Sequence, residues 1–305
     1  APFTRFHISA VFDDGMDLYV GTNGYGLLKY NKVSWLKERV VYGPLDNCIR
    51  KAKRVGDKIA VISNLGISYL KDTSKTWQYQ RFIHQITDVL FGDNNVIVTF
   101  ENRISRTEQG VLITVSNMDN NILCLASDDT LTYIGTWSGL YKMYKGSSTA
   151  LPFGPDKFAV HSVYPMNDEI FVGGETGFFK YNKTNDEWTR ELGFGVKHVV
   201  ELQNTLYLLA TNNQIIQYKN IKQHPDTDTT WVLLPYFNIY DIASDEEVIY
   251  CASYAGIYYF EPETDAYRVV YNLPRIKFDH VFVLDNNIIA VSSKNIYSLP
   301  IKYRD

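Results

Sequence analysis

Apolar positions along the chain fall in short, strand-like runs separated by polar turns, and the runs recur as one unit. Its centre is a strand, a turn that often carries Gly, and a second strand. Residues 17–31 (DLYVGTNGYGLLKYN) are the clearest copy; residues 131–144, 169–182 and 248–261 repeat it closely, and weaker copies begin near Lys58, Asn95, Thr205 and Asn287. The residue just before the second of these strands marks the period: Gly26, Gly66, Arg103, Gly139, Gly177, Gln214, Gly256 and Asn295, at steps of 40, 37, 36, 38, 37, 42 and 39. Ahead of each mark stands an apolar-x-x-apolar column: Ile8/Val11, Ile49/Ala52, Ile86/Val89, Ile122/Leu125, Val160/Val163, Val196/Val199, Ile239/Ile242 and Phe278/Val281. This column predicts the first strand of each unit. Turns such as Asp13-Asp14-Gly15, Gly92-Asp93-Asn94 and Ser127-Asp128-Asp129 join it to the next strand. More polar runs (39–42, 77–80, 187–190, 267–270) supply a fourth strand in most units.

Four strands in about 38 residues make one propeller blade. The pattern therefore predicts an all-β chain: residues 1–305 as a single closed eight-bladed β-propeller of four-stranded antiparallel blades, with seven blades plus a partial one as the alternative. The last unit holds strands at 281–284, 288–292 and 296–300, so the N-terminal run at residues 3–6 is expected to complete that blade as its outer strand. Removing the first seven residues should then open the ring.

Composition agrees with a packed β protein: 45% hydrophobic residues, 23 Tyr and 16 Phe, with 10 Pro and 19 Gly. A net charge of −4 offers no basic stripe for phosphate backbones, so nucleic acid is not expected as a partner. No run of 18 apolar residues predicts membrane insertion. Cys48, Cys124 and Cys251 form no metal or redox spacing, and the latter two sit in apolar runs as buried thiols. No nucleophile elbow, phosphate loop or dinucleotide fingerprint is present, and no cofactor is expected. The Asn182-Lys183-Thr184 sequon matters only on a eukaryotic secretory route, and residues 72–77 only partly match an Asp-box.

The pattern at residues 19–31 (YVGTNGYGLLKYN), preceded by the apolar column and Asp-Asp-Gly, resembles the two-component regulator propeller repeat. The resemblance runs the whole chain, closely in four units and loosely in four, with Tyr or Phe where that repeat usually has Trp. It implies an extracytoplasmic (periplasmic, cell-surface or secreted) sensor-type propeller within a larger envelope or signalling assembly, recognising a glycan or a protein. These 305 residues hold no kinase or receiver pattern and no Ig-like module.

Between the apolar positions of the first strands lie polar pairs that include three of the six histidines: His161, His198 and His280, with Asp88 and Asp241. Such a set at a channel mouth could hold a metal or act as general base on an acidic sugar; as inner-strand polar groups they would instead be satisfied by neighbouring blades and water. Turns between second and third strands set Tyr25, Trp137 and Tyr254 on the same face, where aromatic rings suit stacking on sugars or anchoring a partner. The sequence weighs toward a ligand- or partner-binding propeller without a catalytic or metal site; a polysaccharide lyase or hydrolase working at the channel mouth and a pure scaffold are the alternatives.

Overall fold

The structure, a computed structural model, describes residues 8–13, 15–22, 26–40, 44–45, 48–55, 58–71, 77–82, 84–92, 95–108, 111–155, 157–218, 230–231, 238–284 and 286–304. These residues form eight antiparallel sheets, each a meander in sequence order; seven have four strands and the last has three. The first strands are Ile8–Asp13, Ile49–Val55, Asp88–Phe91, Ile122–Ser127, Val160–Met166, Val196–Leu202, Ile239–Ser244 and His280–Leu284. The third strands begin at Gly26, Gly66, Arg103, Gly139, Phe178, Ile215, Gly256 and Ile296, on the sequence marks or one residue after them. The last sheet ends at Pro300 and is followed by a 3-10 turn, Ile301–Tyr303. The closing strand expected at residues 3–6 lies outside the described residues.

Local chemistry explains the hairpins. Asp128 Oδ1 accepts the backbone N–H groups of Thr130 (2.9 Å) and Leu131 (2.8 Å) while Oδ2 accepts Tyr133 Oη at 2.6 Å. Asp245 repeats this with Glu247, Val248 and Tyr250, so one carboxylate closes the turn and anchors a Tyr five residues on. The turn before the third strand is closed by a hydroxyl: Ser63, Thr136, Ser253 and Ser292 each donate to the carbonyl three residues later. Gly66 there has φ +141°, and a Cβ would stand 2.2 Å from the carbonyl oxygen of Gln80; only Gly fits.

The chain divides into two compact units, residues 1–43 with 75–77, and residues 44–74 with 78–305. The first holds the first sheet, with Val20, Leu28 and Tyr30 buried together. In it Val11, expected to be buried as the second apolar column residue, is 58% exposed. In the second unit the column residues Ala52, Val89, Leu125, Val199, Ile242 and Val281 are buried.

In the second unit the core lies between successive sheets. Ile62 and Ile67 pack on Ile86 and Val98, Phe171 and Phe178 on Val199 and Leu208, and Tyr250 and Tyr259 with Phe278 and Ile288. Each such large apolar side chain contributes roughly 1.5–3 kcal/mol, so a sheet is held mainly by its neighbours. First strands contact one another in chain order from the second sheet to the eighth, and the eighth contacts the second. A repeated backbone bond marks these joints. The first column residue donates to the turn of the preceding sheet in Ile122→Glu101 (2.6 Å) and Phe278→Ser253 (2.9 Å), and Ile49 donates in the same way to Ser293 of the eighth sheet (3.1 Å).

Candidate functional site

A cavity of about 880 Å³ is lined by residues from the first strands of all seven sheets of the second unit. Its wall is set by a recurrent backbone irregularity. In the second, fourth, fifth, sixth and seventh sheets the strand pairing slips between the first and third column positions, a bulge that bends the strand and re-aims its side chains. The residue after the slip is Lys51, Cys124, Ser162, His198 or Asp241, and the same column position holds Asp88 in the third sheet and His280 in the eighth. All seven line the cavity.

The two aspartates do the same thing at two joints. Asp88 Oδ1 accepts the N–H of Val89 (2.8 Å), while Oδ2 accepts the N–H of Leu125 in the next sheet (2.8 Å). Asp241 accepts Ile242 N–H (3.0 Å) and, in the next sheet, Val281 N–H (3.4 Å). Each also holds a pair of cationic or potentially cationic groups. Lys51 and Lys53 Nζ both stand 3.1 Å from Asp88 Oδ2, and His198 and His280 Nδ1 stand 2.7 and 3.1 Å from the two oxygens of Asp241. Burial opposes ionisation of Asp88, but the two ammonium groups and the backbone donors outweigh it and hold its pKa below the carboxylate range. For Asp241 burial is likewise outweighed, by the two imidazoles, and its pKa is well lowered. Burial would depress His198; the Asp241 charge wins and raises it. Lys53 goes the other way, its pKa lowered by burial more than Asp88 restores it.

The structure thus brings together His198, Asp241 and His280, and sets Asp88 in a second cluster of the same cavity. His161 also lines the cavity, with its pKa lowered by burial. Among the described residues no group of three or more His, Cys, Asp or Glu is arranged to hold a metal. Trp137 and Tyr254 are 54% and 53% exposed at turns between second and third strands, as expected; Tyr25 lies outside the described residues. Sequence reasoning missed Lys51 and Lys53, although Lys51 stands in the same column as Asp88. It also missed three more exposed side chains at this edge of the sheets, Tyr240, Tyr271 and Ile276. Lys277 Nζ lies 4.7 Å from the Tyr240 ring centre and Arg275 Cζ 5.7 Å from that of Tyr271.

Cys124 and Cys251 are buried and Cys48 is exposed; burial pushes the Cys124 thiol up to about 11 and the Cys251 thiol higher still. No described helix is long and apolar enough to cross a membrane.

No family model matches the chain, and no curated protein does. Solved structures do match. The computationally designed Ika8 protein shares 11% identity over 97% of this chain and 96% of its own, with a TM-score of 0.60. The WD40 β-propeller domain of Doa1 shares 15% over 85% of this chain and 95% of its own, with a TM-score of 0.62. PorZ, a surface component of the type-IX secretion system of Porphyromonas gingivalis, shares 13% over 86% of this chain and 38% of its own, with a TM-score of 0.62. At these identities the likeness is one of fold: an all-β chain of propeller-like antiparallel sheets.

Proposed function

We propose that the protein is a partner-binding platform built on a β-propeller, and that its partner, a protein, docks on the edge where the second-to-third-strand turns meet the starts of the first strands. The observation that carries this is the exposure of large aromatic side chains there, Trp137, Tyr240, Tyr254 and Tyr271, residue types that anchor interfaces. Within the second unit, the recurrence of the Ile122→Glu101 bond as Ile49→Ser293 supports a ring of seven sheets closed between the eighth and the second. The two-component regulator propeller resemblance supports a sensor-type, extracytoplasmic role, and PorZ, described as a bacterial surface component, points the same way.

The test is a Trp137→Ala/Tyr254→Ala double variant, first shown to melt like the wild type. Cross-linked extracts of the source cells should yield a protein retained by the wild type and lost with the variant. Equal retention by both would remove this edge as the docking site, and binding on a glycan array that the variant loses would replace the protein partner with a glycan.

A further inference from the structure

The wall around Asp241 has an electrostatic asymmetry. The carboxylates of Asp88 and Asp241 are 1% and 5% exposed, whereas their partners Lys53, His280, Lys51 and His198 are 22%, 24%, 30% and 42% exposed. Beside Asp88 and Asp241 a solute in the cavity therefore meets donors and cations, with these two acids hidden behind them. The donors are also only partly used. Lys51 Nζ donates to Leu123 O and bridges to Asp88, and Lys53 Nζ donates to Leu125 O and Asp88, which accounts for two of three N–H groups on each. Both imidazoles bond Asp241 through Nδ1, which fixes the rings and leaves Nε2 on each for another partner. In strand order His198, Asp241, His280, Lys51 and Asp88 stand on consecutive contacting first strands.

We propose that this cavity binds a small dianionic oxyanion, a phosphate or dicarboxylate group, between the Nε2 atoms of His198 and His280 and the ammonium groups of Lys51 and Lys53. The volume suits it, since pockets for small ligands run to roughly 300–1,000 Å³. Charge sets the pH dependence. With both imidazoles neutral the two lysines and two aspartates cancel; each imidazole that takes a proton adds a positive charge and turns Nε2 from acceptor into donor. Other charged groups lining the cavity are Lys197, whose Nζ donates to Asn213 at 2.8 Å, Arg54, whose guanidinium donates to Val283 O, His161, and the acids Glu201, Asp245 and Glu246. Anion binding should tighten as pH falls and His198, whose pKa the Asp241 charge raises, takes up a proton.

The experiment titrates the full chain with inorganic phosphate and with malonate, following heat release and the side-chain 15N signals of the histidines. Saturable binding that shifts the His198 and His280 signals is expected, and that of malonate, which stays largely dianionic across this range whereas phosphate gains a proton near neutral pH, weakens about tenfold or more from pH 6 to pH 8. The His198→Asn/His280→Asn variant keeps an amide nitrogen where each Nδ1 donates to Asp241, lacks Nε2, and should lose binding by at least that factor; melting of the variant is recorded alongside. The wild-type 15N signals decide the question even if that variant fails to fold. Absence of saturable binding, or binding that leaves both histidine signals unmoved, overturns the proposal. The Trp137→Ala/Tyr254→Ala variant should bind phosphate as the wild type does, so failure of the platform reading and failure of this one are separable.

Discussion

Replacing Asp88 by Asn is the sharpest test of how the sheets are joined. The side chain keeps its shape, but the buried carboxylate becomes an amide with one acceptor. Oδ1 can still accept Val89 N–H, as it does now at 2.8 Å. The new NH2 then faces Leu125 N–H, which lay 2.8 Å from Oδ2, and the two ammonium groups that lay 3.1 Å from it. Donor meets donor at three contacts, and flipping the amide only moves the conflict to Val89. Removing one partner of a buried pair costs about 3–5 kcal/mol, and at about 2–4 °C per kcal/mol for a domain of this size the lower bound lowers Tm by about 6–12 °C. Circular-dichroism melting at pH 7 measures it, with the exposed Asp119→Asn as control. The pH dependence gives a second check. A carboxylate whose pKa is lowered on folding stabilises above its unfolded value, near 3.9, and loses that contribution as pH falls through the folded value. The gap between wild type and variant should therefore be full at pH 7 and close in strong acid. A Tm change of less than about 2 °C at pH 7, or a gap that does not shrink on acidification, would refute the joint as described.

Other consequences are quicker to check. Gly66→Ala should destabilise by more than about 1 kcal/mol and by more than Gly139→Ala in urea unfolding, because the backbone crowds a Cβ only at Gly66 although both have φ near +140°; equal losses would show that φ strain alone matters. Tyr133→Phe removes a 2.6 Å bond to Asp128 and should cost about 1.5–3 kcal/mol, as a bond to a charged group does. Trp137→Ala, at an exposed turn, should leave stability within about 0.5 kcal/mol while weakening partner retention. With a thiol reagent at pH 8, Cys48 should react at once and Cys124 and Cys251 only on unfolding, since burial raises both of their pKa values.

The strand plan was legible because two periodic signals agree. The marks locate every third strand to within one residue even where Gly gives way to Arg103, Gln214 or Asn295; at Asn295 the turn is closed by the Ser292 hydroxyl and needs no Gly. Burial in the first sheet was not legible: the apolar column reads the same there as elsewhere, yet Val11 is exposed. A periodic sequence reports that a unit can stack, not which unit lies beside it.

The candidate site shows why column position carried more information than residue type. His161, His198 and His280 all attract notice as histidines, but only the two at the third column position reach Asp241; His161 occupies the slipped position before it. The same geometry gives Lys51 its place, although nothing about a lone lysine in a polar strand suggests a cavity. One backbone slot, set by the bulge in five sheets and matched without it in the third and eighth, presents a side chain to the cavity from each of the seven sheets of the second unit, and chemistry there depends on which side chains neighbouring slots hold. A carboxylate in the slot bonds the backbone of its own and of the next sheet, as Asp88 and Asp241 both do. A cation in an adjacent slot neutralises it while remaining open to the cavity. Joint and cavity wall are therefore built from the same residues, so a substitution that alters what the cavity binds should also alter how firmly adjacent sheets hold together, and the two effects separate only in variants such as His→Asn that preserve the donor to Asp241.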